Sequence, residues 1–149
     1  MKVRIFIIAL WGFTFGAAFG APTDLDGLVA DLNLQAEADP AVFDARLSAQ
    51  FGLPVPDVEA LMEKMAVPAD AFLCLQLSFL TREPLDVVVK TYKAKKGEGW
   101  GVIAQELGIK PGSAEFRALK GGRYTLTGKP AVKAEKDHGK SKQKGKKQD

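Results

Sequence analysis

Apolar residues recur along this chain at intervals of three and four, and prolines and glycines cut the recurrence into short blocks. That spacing gathers apolar side chains on one face of a helix. Asp39 followed by Pro40 reads as an N-cap and a first helical position. Val42, Phe43, Leu47 and Phe51 follow close to helical spacing, and Gly52 supplies a left-handed stop. Beyond the extended connection Leu53-Pro54-Val55-Pro56, the residues Val58, Leu61, Met62 and Met65 mark a second helix. Pro68 opens a third, which runs through residues 72–80 and is apolar nearly all round, as a central buried helix would be. Leu73, Leu75, Leu77 and Phe79 also alternate as strand residues do, but the chain offers no obvious partner strand, so the helix is preferred. Pro84 opens a fourth helix carrying Leu85, Val88, Val89 and Tyr92, closed by the lysines before Gly97, cations being favourable at a helix carboxyl end. Trp100, Ile103, Ala104 and Leu107 give a fifth, stopped by Gly108. Ser113 caps a short sixth, with Phe116 and Leu119 facing inward. The pattern predicts an all-α fold, a small compact bundle of about five to six short helices over residues 39–120. Residues 21–38, with Leu25, Leu28, Val29 and Leu32, read as a linker or a loose leading helix.

The first 20 residues follow another logic. Lys2 and Arg4 precede an uncharged apolar run, and Ala18-Phe19-Gly20 places small residues where a signal peptidase reads. This three-part layout is that of a secretory signal peptide cleaved after Gly20, with Ala18 as the alternative site. An uncleaved anchor is the competing reading. The run is slightly short for a membrane span, and Gly12, Gly16 and Gly20 weaken it as a helix. The expected location is export, into the periplasm, with membrane contact only transient through the leader.

Charge then divides the remaining chain. Residues 21–119 carry nine Lys and Arg against fifteen Asp and Glu, a net of −6, whereas residues 120–149 carry ten against three, a net of +7. The formal net charge of +3 conceals this division. Few large apolar groups follow Leu126, so residues 121–149 are expected to be a disordered basic tail, unable to bury enough surface to offset the entropy of ordering. Lys140, Lys142, Lys144, Lys146 and Lys147 are its candidate contacts with an anionic envelope component or a protein partner. A purely solubilising tail is the plainer alternative. Nucleic acid is disfavoured, because Tyr124 is the lone aromatic available there to stack on a base.

Residues 100–119 resemble a helix-turn-helix. Ala104 is small enough for close helix approach, Gly108 suits the turn, and Ile103, Leu107 and Ile109 supply a shared core. Pro111 and Gly112 lengthen the turn, however, and the second helix carries Glu115 beside Arg117, with little to read base edges. The full pattern W-G-x-I-A-x-x-L-G-I-x-P-G-S-x-x-F-x-x-L comprises Trp100, Gly101, Ile103, Ala104, Leu107, Gly108, Ile109, Pro111, Gly112, Ser113, Phe116 and Leu119. It is similar to one in uncharacterised exported bacterial helical proteins. The resemblance covers roughly a fifth of the chain after the leader and implies export and a helical fold, but no activity. Trp100, Ile103, Ala104, Leu107, Gly108, Pro111 and Phe116 are accordingly expected to be structural. Trp100 is read as a core anchor stacked on Ile103, Leu107 and the central helix, the alternative being an exposed ligand-stacking ring beside Tyr92.

Catalytic chemistry finds little support. Cys74 is the only cysteine, so no internal disulfide can form, and its place between Leu73 and Leu75 suggests a buried, inert thiol or, failing that, an intermolecular pair. The only histidine, His138, lies in the tail, which excludes a Ser-His-acid triad within the helical region and a multi-His zinc site. Asp24-Leu25-Asp26-Gly27 begins like a calcium loop but lacks the later ligands. Gly97-Glu98-Gly99-Trp100-Gly101 lacks the Lys-Ser or Lys-Thr of a phosphate loop. No cofactor or metal is expected. The sequence reads as an exported, non-catalytic interaction protein; a helix-turn-helix DNA-binding protein with a misread leader is the alternative. The intact mass of the protein from the envelope fraction of its native host is expected to lack residues 1–20. A full-length mass in the cytoplasm would reverse that order.

Overall fold

The computed structural model describes residues 24–131. Among them are seven α-helices and no strand: α1 Leu25–Ala38, α2 Pro40–Phe51, α3 Val55–Met62, α4 Pro68–Thr81, α5 Leu85–Lys95, α6 Trp100–Glu106 and α7 Ala114–Lys120. A 3₁₀ turn, Lys96–Glu98, joins α5 to α6. The fold is all-α, and the strand-like alternation of Leu73 to Phe79 is helical. The leader and the five tail lysines, 140 to 147, lie outside the described residues, as does His138.

Local chemistry sets the helix ends. The Asp24 and Asp39 carboxylates accept from the backbone N–H groups of Gly27 and Val42, at 2.8 and 3.0 Å, and so cap α1 and α2. Asp24 is therefore a cap rather than the first ligand of a calcium loop. Prolines hold the first turns of α2, α3 and α4. Gly108 and Gly122 follow α6 and α7 with φ of 88° and 58°. Each completes a paired backbone closure: Ile109 N–H to Ala104 C=O with Gly108 to Gln105, and Arg123 to Ala118 with Gly122 to Leu119.

The bundle forms around α4. Residues 69–77 are all buried, and α1, α2, α3 and α5 pack on that helix; α6 packs on α5, and α7 on α6. Leu28 and Leu32 of α1, Phe43 and Leu47 of α2, Val58 of α3, Val88 of α5, Ile103 of α6 and Leu119 of α7 all enter the same core. Helix α4 has no side-chain cap of its own. Asn33 of α1 supplies one from across the bundle, its Oδ1 accepting from Ala69 N–H at 2.9 Å.

Two expected boundaries move. Helix α1 is no loose leader: Leu28, Leu32 and Ala36, four residues apart, are buried on one face. This brings the helices to seven rather than five or six. The chain beyond α7 also stays on the body as far as residue 131. Leu126 is buried, the Tyr124 hydroxyl donates to the Glu115 C=O at 3.2 Å, and Ala131 N–H reaches Gln50 C=O at 2.8 Å. Low apolar content led to the expectation of disorder from residue 121. Hydrogen bonds to distant helices hold residues 121–131 instead.

Gly122 joins the two ends of the bundle. A Cβ built there would lie 2.1 Å from the Asp24 carbonyl oxygen, which is backbone and cannot swing aside. Gly122→Ala is expected to lower unfolding free energy by about 1–3 kcal/mol or more in urea titrations. Gly112→Ala, also at positive φ but with open space around the new methyl, should lose only the backbone part, about 1–2 kcal/mol. Equal losses would mean the contact with Asp24 contributes nothing.

Candidate functional site

A helix buried on every side should carry no polar side chain, yet α4 carries two that are almost fully buried, Asp70 and Gln76. They are treated differently. The Tyr92 hydroxyl donates to Asp70 Oδ2 at 2.5 Å and accepts from Ala66 N–H at 3.4 Å. Burial and the bond to Asp70 push the Tyr92 phenol up to about 12. Trp100 stacks on the Tyr92 ring, with centroids 5.3 Å apart at 21°, and the Lys96 ammonium lies 5.9 Å from the same ring. Asp70 is thus enclosed by partners. One turn on, burial and then the Asp70 charge push the Cys74 thiol up to about 12, and Cys74 meets Met65 sulfur at 4.0 Å. It stays protonated at neutral pH and is a poor nucleophile.

Gln76 has no such arrangement. It is 6% exposed, and among the described residues no hydrogen bond reaches its side-chain amide. It lines a cleft of about 770 Å³. One wall is the end of α4, with Phe79 and Leu80. The second is the α6–α7 corner, with Lys110 and Glu115. The third is the segment after α7, with Arg123 and Tyr124. Lys110 and Arg123 are exposed and form no ion pair among the described residues.

Gln50 of α2 secures the third wall. It is 7% exposed, and both ends of its amide are bonded. Oε1 accepts from Thr127 N–H at 2.7 Å, Gly128 N–H at 3.2 Å and Thr127 Oγ1 at 3.3 Å, while Nε2 donates to Thr125 C=O at 3.0 Å. Across more than 70 residues of chain, one side chain ties the segment after α7 to α2. Two buried glutamines therefore meet at one cleft. One is bonded to the segment after α7; the other makes no side-chain hydrogen bond among the described residues.

Of the residues singled out by the sequence, Leu107 and Gly108 line this cleft and the other five do not. Ile103, Ala104 and Leu107 are buried, Gly108 makes the turn, and Pro111 is exposed. Phe116 is half-buried, 3.8 Å from the Cβ position of Gly101. Trp100 is half-buried, packed against the core, and its ring stacks on Tyr92 of α5. Gln50, Gln76, Lys110 and Arg123 were not singled out by the sequence reading. Gln76 left one signal, as the lone amide in the apolar run of residues 72–80.

Other features lead elsewhere. Burial and then the Glu59 charge raise the Asp44 carboxyl, but neither residue lines the cleft. A groove of about 490 Å³ between α3 and α5 is floored by Leu61, Leu85 and Val89. Among the described residues no group of three or more His, Cys, Asp and Glu is placed to hold a metal ion, and no helix is long and apolar enough to cross a membrane. Comparison with protein-family models, with curated proteins and with solved structures finds no match to this chain.

Gln50→Leu is expected to strand the Thr127 and Gly128 N–H groups and to lower stability by about 1–3 kcal/mol. Amide exchange at residues 127, 128 and 131 should quicken far more than exchange within α4. Uniform quickening across both would mean that Gln50 supports the whole fold rather than the segment.

Proposed function

We propose that this chain is an exported, non-catalytic helical interaction module that binds anionic partners. The observation that carries the reading is the position of its positive charge. Residues 107–131 place five Lys and Arg against one Glu, and two of the five, Lys110 and Arg123, line the cleft together with Glu115. The chain continues from Ala131, on the cleft edge, into the Lys-rich segment with Lys140, Lys142, Lys144, Lys146 and Lys147. Residues 24–65 carry nine acids and two bases, so an anionic partner is attracted to the later part of the chain and repelled by the earlier part. Acidic envelope components and acidic protein surfaces are the partner classes, and the periplasm is the proposed location.

In this reading the helix-turn-helix-like corner is a wall of the cleft rather than a DNA reader. Helix α7 runs for only seven residues, and Leu119 and Phe116 turn toward the core. Arg117 stands beside Glu115, a poor arrangement for a phosphate backbone.

Co-sedimentation with phosphatidylglycerol vesicles tests the proposal. Binding by the mature chain is expected to fall about tenfold or more between 50 and 200 mM salt. It should be lost on deletion of residues 132–149, a cut that spares the segment held by Gln50. Salt-insensitive binding, or full binding by the shortened chain, would overturn it.

A further inference from the structure

We infer that the cleft floored by Gln76 is a binding site for a short acidic peptide segment in extended conformation. The inference rests on the interaction-module reading but does not depend on the basic tail. Its first ground is the Gln76 amide. Gln76 is a buried residue, yet its amide atoms are not sealed in the core: they open on the cleft, within reach of a ligand. Among the described residues no hydrogen bond reaches them, while Gln50, on the same cleft, is bound to Thr125, Thr127 and Gly128. A primary amide offers one acceptor and two donors in a plane. That set matches the N–H and C=O of a single residue in an extended chain, which point to the same side and would pair with the amide through two bonds.

The second ground is what surrounds the amide. Phe79 and Leu80 provide apolar contact for a side chain next to the paired residue. Lys110 and Arg123 stand on the two other walls, exposed and without an ion pair among the described residues, where a carboxylate would meet them. Glu115, on the α7 wall, is itself engaged. It limits the ligand to carboxylates that reach the Lys110 and Arg123 side. The cleft volume of about 770 Å³ falls within the range of small-ligand and short-peptide sites.

The test uses the full mature chain in about 150 mM salt, where attraction to exposed lysines is screened. The probes are capped pentapeptides alternating Glu with Leu, and the same peptides with Gln for Glu. Binding is followed by fluorescence anisotropy and by the NMR resonances of the Gln76 side-chain NH₂ group. The acidic peptides are expected to shift those resonances, and the neutral peptides to bind at least about tenfold more weakly. Gln76→Leu should weaken acidic-peptide binding about tenfold, while its melting temperature stays level, because the amide makes no hydrogen bond that holds the fold. The double variant K110A/R123A should erase the preference for Glu over Gln.

A fall in the melting temperature of Gln76→Leu with peptide affinity unchanged would make Gln76 structural and overturn the inference. So would unmoved Gln76 resonances at saturating peptide. An anionic oligosaccharide that shifts those resonances where the peptides do not would overturn the peptide class. In each case vesicle binding through residues 132–149 reports separately on the interaction-module reading.

Discussion

A helix buried along nine consecutive residues leaves its polar side chains no route to bulk water except through a gap in the packing, and α4 imposes that constraint on the whole bundle. Burying Phe72, Leu73 and Leu77 drives the fold. The helices around α4 then have to supply the polar groups it lacks. Helix α1 provides Asn33 for the open amino end. Helix α5 provides Tyr92 for Asp70, and Trp100 closes over Tyr92. Gln76 is met by open space instead, between α4, the α6–α7 corner and the segment beyond α7. The candidate site is the point at which the solution to α4's burial stops short.

That account also joins the two halves of the charge pattern. Helices α1 to α3 are acidic, whereas Lys110 and Arg123 stand on the cleft walls made by the α6–α7 corner and the segment after α7. The acidic and basic parts of the chain nevertheless touch: Gly122 lies against Asp24, and the Gln50 clamp holds the basic segment on α2 without an ion pair in the contact.

Much of the helical order was legible in the sequence because its signals are local. Asp39-Pro40, Pro68 and Ser113 start helices, and Gly52 and Gly108 end them, through geometry that any chain with those residues would share. Helix α1 was under-read because Leu25 to Leu32 form a thin apolar face whose worth depends on α4 beneath it. Residues 121–131 were misassigned for a related reason. Their ordering comes from a glutamine more than 70 residues away and from a glycine pressed against Asp24, and neither has a local signature. The cleft was unreadable on the same ground, since Gln76, Lys110 and Arg123 converge only after three separate elements have packed.

The closure at Gly122 and Gln50 bears on the order in which the chain can become a folded body. Helix α1 rests on a glycine nearly a hundred residues downstream, and α2 is clasped by the segment that ends at Ala131. Contacts of that separation form only after long stretches of chain have been brought together. A ribosome that has delivered the first six helices has still not delivered the parts that lock the first two. The bundle therefore remains unlatched during most of its own synthesis, and its last-made elements decide when it shuts.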